Sequence, residues 1–131
     1  MRRFSDTVMA HFQYPSNRGR LERPDGVGLV GTPGAGPLFL LGLNVASGRV
    51  TAVRFECHGF GAIVACGSVL TGLVIGRDVG SCATISQREL TEALDGLPHD
   101  KQHCLDTALH ALRQALAEAA GSEGAIAEKP E

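Results

Sequence analysis

From Val53 to His58 the chain alternates strictly: Val53, Phe55 and Cys57 are apolar, and Arg54, Glu56 and His58 are polar. A two-residue period is that of a strand with one face in the core. It predicts a strand over Val50–His58 with Cys57 inward and His58 toward solvent. The preceding apolar run, Leu38–Val45, predicts a partner strand, and Ser47-Gly48 between them supplies the hairpin turn. A shorter run near Val27–Gly31 predicts a third strand, and the three are expected as an antiparallel sheet.

Elsewhere the period lengthens to that of a helix. "FSDTVMAHF" predicts a short helix capped by Ser5, with Val8, Met9 and Phe12 on one face. Tyr14-Pro15 ends it, because the residue before a proline avoids helical backbone. Phe60 to Gly76 carries no charge. It is shorter than the ~20 apolar residues of a membrane span and contains several glycines, so a core helix starting near Ala62 is expected. "SQRE" places Ser86 as N-cap with Glu89 closing a capping box, and Gly96 stops that helix. A last helix starts near Asp100, a plausible N-cap. Its apolar face is Leu105, Ala108, Leu109, Leu112, Ala115, Leu116 and Ala119. From Gly121 the sequence predicts a polar, disordered tail, giving a single domain over 1–120 and a tail over 121–131. Strands followed by helices in blocks define an α+β class, a three-stranded antiparallel sheet packed against helices.

Charge narrows the function. Of 131 residues, 12 are basic and 14 acidic, a net charge of −2, which predicts no bulk attraction to nucleic acid or to an anionic membrane. The opening "MRRFSDTVMAHF" breaks into Ser, Asp and His too early for a secretory signal. The four cysteines, Cys57, Cys66, Cys82 and Cys104, are far apart with no C-x-x-C pair. They are expected to be reduced thiols in a cytoplasmic protein rather than a disulfide framework or a zinc finger. "GVGLVG" (Gly26 to Gly31) spells a dinucleotide fingerprint, but a loop precedes it and "TPGAGP" follows, so the required strand–turn–helix context is missing.

The chemistry concentrates at His103-Cys104. Cys104 falls in the first turn of the last helix, where the dipole and free N–H groups favour a thiolate, and Lys101 acts in the same direction. Cys104 also aligns with Ala108, Ala111 and Ala115, so a plain small core residue explains its position equally well. Cys57, Cys66 and Cys82 read as small apolar side chains. His58, on an exposed strand face, reads as a surface residue.

Four segments in order resemble the iron–sulfur cluster scaffold family of IscU and the NifU N-terminal domain. They are "FSDTVMAHFQYPSNRG", "VGLVGTPGAGP", "VRFECHGFGAIVACGSVLTGLVIGR" and "LPHDKQHC". The resemblance implies a SufE/NifU-like fold and a cluster site built from three loops. Its ligand positions fall on Ala35 and Pro37 in the first loop, where the family has Cys and Asp, and on Phe60 in the second, where it has Cys. Only His103 and Cys104, with Lys101 before them, survive. The family's chaperone-docking Leu-Pro-Pro-Val-Lys is "LPHDK" here, keeping Leu97, Pro98 and Lys101.

Ala, Pro and Phe offer iron no lone pair. Three routes remain: two chains each giving His103 and Cys104, a substitute ligand from Cys57, His58 or Cys66, or no metal at all. The leading expectation is a divergent, non-enzymatic scaffold-like protein with a remnant His-Cys site, binding iron or an iron–sulfur cluster as a homo-oligomer. A cysteine desulfurase or other assembly proteins are its implied partners. The alternatives are a SufE-like persulfide acceptor using Cys104, and an adaptor of the assembly machinery without metal.

Overall fold

The computed structural model describes residues 3–32, 34, 36–59 and 61–128, with side chains described as far as Gly121. Three strands form a meander: β1 (Gly26–Gly31), β2 (Leu38–Ala46) and β3 (Arg49–His58), in the order β1-β2-β3 with both pairs antiparallel. Ser47 (φ 54°) and Gly48 (φ 76°) make the hairpin turn, the double left-handed conformation that a two-residue loop needs to match strand twist. A register shift at Asn44/Val45 lets Val50 and Val53, three apart, both point into the core. Phe39, Leu41 and Leu43 of β2 and Phe55 and Cys57 of β3 complete this inner face, with the Phe39 and Phe55 rings stacked at 5.7 Å.

Helices cover that face. α1 (Asp6–Gln13) starts at Ser5, whose Oγ accepts from the Val8 N–H, and ends at Tyr14 as the sequence predicts. Of its expected apolar face only Val8 is buried. Met9 and Phe12 are 41% and 48% exposed, because the short helix lies on the domain rim. α2 (Gly61–Val74) is the buried core helix, apolar on nearly every side because the sheet, α1, α4 and α5 surround it. Its Gly67 has a packing reason: a Cβ there would lie 2.5 Å from the Phe55 ring.

Two short helices follow: α3 (Val79–Cys82), capped by Asp78 and not evident in the pattern, and α4 (Gln87–Ala93). Ser86 caps α4 through the Glu89 N–H, but the Glu89 carboxylate bonds Arg77 (3.0 Å) rather than closing the box. The last helix, α5 (Gln102–Glu128), is preceded by a 3-10 turn at His99–Lys101 in which the Lys101 N–H reaches the Pro98 carbonyl. Asp100 is therefore inside that turn and not an N-cap; its carboxylate takes Arg3 instead. α5 also continues past Gly121 to Glu128, where the sequence predicts a tail. Glycine costs a helix only ~1 kcal/mol, and the alanines between Gly121 and Glu128 favour helix; a strong breaker comes only at Pro130.

Both sheet edges are paired along part of their length. On β1, the Val27 and Leu29 N–H groups donate to Glu118 Oε1 and Gln114 Oε1 of α5, each at 2.8 Å. On β3, the Gly19 N–H donates to the Phe55 carbonyl and the Phe55 N–H to the Asn17 carbonyl. Edge groups paired in this way are not free to recruit another strand. Among the described residues no helix is long and apolar enough to cross a membrane.

Candidate functional site at the mouth of the last helix

The start of α5 faces one end of the sheet, and a cavity of about 200 Å³ lies between them. Its floor is apolar, from Val30, Leu38, Phe39 and Ile63, and its polar groups are His58, Lys101, His103, Thr107 and the Cys104 thiol. The antiparallel meander causes this convergence, bringing Gly31, Pro37 and Gly59 to the same end of the sheet. The structure thus gathers His103, Cys104, Lys101, His58 and Pro37 in one place. Ala35 and Phe60 lie outside the described residues.

Cys104 is buried (7% exposed) yet borders the cavity. Its thiol is lowered to about 7. The main cause is a hydrogen bond from the Cys66 S–H, which stabilises the Cys104 thiolate against the cost of burial; the charges of His103 and Lys101 add to it. The His103 ring is exposed, with Nε2 3.8 Å from the Cys104 sulfur, a weak contact. Thr107, one helical turn on, bonds back to the His103 carbonyl.

The other thiols are poor nucleophiles. Cys66 on α2 has no exposed surface, and donating to Cys104 while buried pushes its own thiol far up. Burial likewise raises Cys57, against the opposing charge of Arg18, and raises Cys82. Cys82 lies elsewhere, its sulfur 3.8 Å from the Val74 carbonyl. His58 is exposed as expected, but it borders the cavity rather than open surface alone.

The influence of Cys66 on the Cys104 thiol is the feature the sequence does not display. Cys66 looks like one more small residue in an apolar helix, and only the packing of α2 against α5 lets it act on Cys104. Thr107 was visible in principle, since it lies four residues after His103 on the same helix face. Among the described residues no group of three or more His, Cys, Asp or Glu side chains is placed to hold a metal ion. A tetrahedral cluster ligand set therefore does not exist among the described residues of one chain.

The chain is thus an α+β domain with a meander sheet, a buried central helix and a Cys-His pair at the mouth of the last helix. Residues 3–124 match the NifU-like N-terminal domain, and the chain belongs to that family. It is 37% identical over 123 residues to an IscU iron–sulfur cluster assembly scaffold protein of Archaeoglobus fulgidus, covering 94% of this chain and 80% of that protein. It is 30% identical over 125 residues to the IscU scaffold protein of Haemophilus influenzae, covering 92% and 98%. The fold matches the crystal structure of a protein assigned as a SUF-system assembly scaffold from Fervidobacterium islandicum AW-1. That match has a TM-score of 0.67 and 17% identity, over 86% of this chain and 96% of the other.

Proposed function

We propose that this chain serves iron–sulfur cluster assembly as a scaffold-like protein without turnover of its own. His103 and Cys104 are what remains of the cargo site. One observation carries the reading: the family's surviving ligand positions, His103 and Cys104, border the same cavity as Pro37, the position where the family's Asp is lost. Among the described residues His103 and Cys104 are the donors that keep the family's positions, and on this reading iron or a cluster takes its further donors from a second copy. Two chains, each giving His103 and Cys104, supply the four ligands a cluster takes. The partners are then a cysteine desulfurase or other assembly proteins.

The test is anaerobic reconstitution with ferrous iron and sulfide, followed by iron and acid-labile sulfide analysis across a gel-filtration profile. The expected result is iron and sulfide co-eluting with a dimer and lost in Cys104→Ser. Metal-free protein at every elution volume would reject the scaffold reading.

The depressed thiol favours a second reading. A Cys104 thiolate at neutral pH beside Lys101 suits a SufE-like acceptor of persulfide sulfur. A mass gain of one sulfur on Cys104 after incubation with a desulfurase and cysteine supports it; an unmodified Cys104 rejects it.

A further inference from the structure

We propose that the cavity at the mouth of α5 is a binding site for a short aliphatic monocarboxylate. The cavity measures about 200 Å³ and is walled by Val30, Leu38, Phe39 and Ile63. Three side chains that carry N–H donors, His58, Lys101 and His103, border the same space, and among the described residues no Asp or Glu lines it. They come from the end of β3 and from the turn and first residues of α5, so the fold itself makes them converge. The acids nearest to them in sequence are held by other partners. Asp100 pairs with Arg3, Glu56 with Arg20 at 2.7 Å, and Asp106 accepts from Gln87. None of those partners lines the cavity. An apolar chamber with donors gathered at its rim suits a ligand that is apolar at one end and anionic at the other. The proposal uses no iron, and it goes beyond the cluster-assembly reading without resting on it.

The rim and the walls together set the class of ligand. The Lys101 ammonium offers N–H donors, and each imidazole keeps at least one N–H whether neutral or protonated. An ionised carboxylate only accepts, which matches this set. The walls discriminate against inorganic anions. A hydrated sulfate gains nothing from Val30, Leu38, Phe39 and Ile63, whereas each methylene that leaves water for them strengthens binding roughly fourfold. Size sets the upper limit. At ~30 Å³ for each water-sized group, the cavity holds roughly six or seven non-hydrogen atoms, those of a four- or five-carbon acid. An α-amino acid of that length brings its own ammonium to a rim that already carries the Lys101 charge, and like charges repel most strongly where the walls are apolar.

The experiment titrates butyrate into the full, metal-free chain labelled with nitrogen-15 and follows the backbone amide shifts. The expected result is saturable shifts at Val30, Leu38, Phe39, Ile63 and Thr107, the residues around the cavity. Affinity should rise roughly fourfold from propionate to butyrate. Four comparison ligands remove one feature each: n-butanol the charge, sulfate the chain, 2-aminobutyrate the single sign of charge, and octanoate the fit. Each should bind roughly tenfold more weakly than butyrate, or worse, and Lys101→Met should weaken butyrate by a similar factor. The spectrum of the variant reports its fold; should it not fold, the ligand series, which needs no variant, decides alone. The proposal is overturned if no saturable shifts gather at these residues, if any comparison ligand binds as tightly as butyrate, or if folded Lys101→Met binds butyrate as wild type does. No iron or sulfide enters the experiment, so its outcome is separate from that of reconstitution.

Discussion

A β-carbon on Gly28 would stand 1.8 Å from the Ala111 carbonyl oxygen of α5, and one on Gly26 would stand 1.9 Å from that of Ala115. Helix and strand thus touch backbone to backbone, which is what lets Gln114 and Glu118 reach the N–H groups of the strand edge. Gly28→Ala must push α5 away. It is expected to destabilise the fold by ~1–3 kcal/mol or more, read from chemical denaturation. A melting profile unchanged from wild type would show that α5 does not lie this close.

Cys104 is expected to be the fastest of the four thiols to react with limiting iodoacetamide, with a rate–pH profile centred at about 7. Its sulfur is stabilised as thiolate by the Cys66 S–H, so Cys66→Ala should move the midpoint upward and slow labelling at pH 7 several-fold. Peptide mapping of the labelled sites checks this. Preferential labelling of Cys57 or Cys82 would contradict it.

Acid should loosen the N-terminal segment. His11 Nδ1 lies 2.7 Å from Ser68 Oγ, which also accepts from the Ser16 N–H at 2.8 Å. That leaves the Ser68 hydroxyl proton for an unprotonated Nδ1. Burial lowers the His11 pKa below its ordinary 6.5, so the unfolded chain binds the proton more readily. The stability this group contributes is full above about 6.5 and falls as pH drops through the window below it. His11→Gln should flatten the pH dependence there in thermal melts; an identical slope in the two proteins would remove His11 as its source.

Ser86→Ala removes the acceptor for the Glu89 N–H at the start of α4 and should cost ~1 kcal/mol. Glu89→Gln tests a different bond, the ion pair with Arg77. The two changes should be close to additive if Glu89 does not return to the cap, and a denaturation cycle measures it.

If the lost ligand positions are assigned correctly, restoring them should restore cargo binding. The triple change Ala35→Cys, Pro37→Asp and Phe60→Cys is expected to take up more iron and labile sulfide per chain than wild type on anaerobic reconstitution, without needing a dimer. Uptake equal to wild type would show that the family's ligand positions do not transfer to these residues.

Much of the fold was legible because its signals are local. Alternation marked β3, Ser47-Gly48 marked the hairpin, and Ser5 and Ser86 marked two helix starts. The misreadings came where a distant partner intervened. Asp100 gave its carboxylate to Arg3, and Glu89 gave its own to Arg77. "GVGLVG", set aside as a nucleotide loop for want of the right context, is strand β1, and its Gly26 and Gly28 serve the approach of a helix far along the chain.

By itself the sequence determined the order of strands and helices, the class of fold and the candidate pair His103-Cys104, since periodicity, turn chemistry and ligand type act over a few neighbouring residues. Only the tertiary structure decided that the Cys104 thiol is held near neutrality by Cys66. That effect depends on α2 packing against α5, and proximity between residues so far apart in the chain exists only once the core has closed.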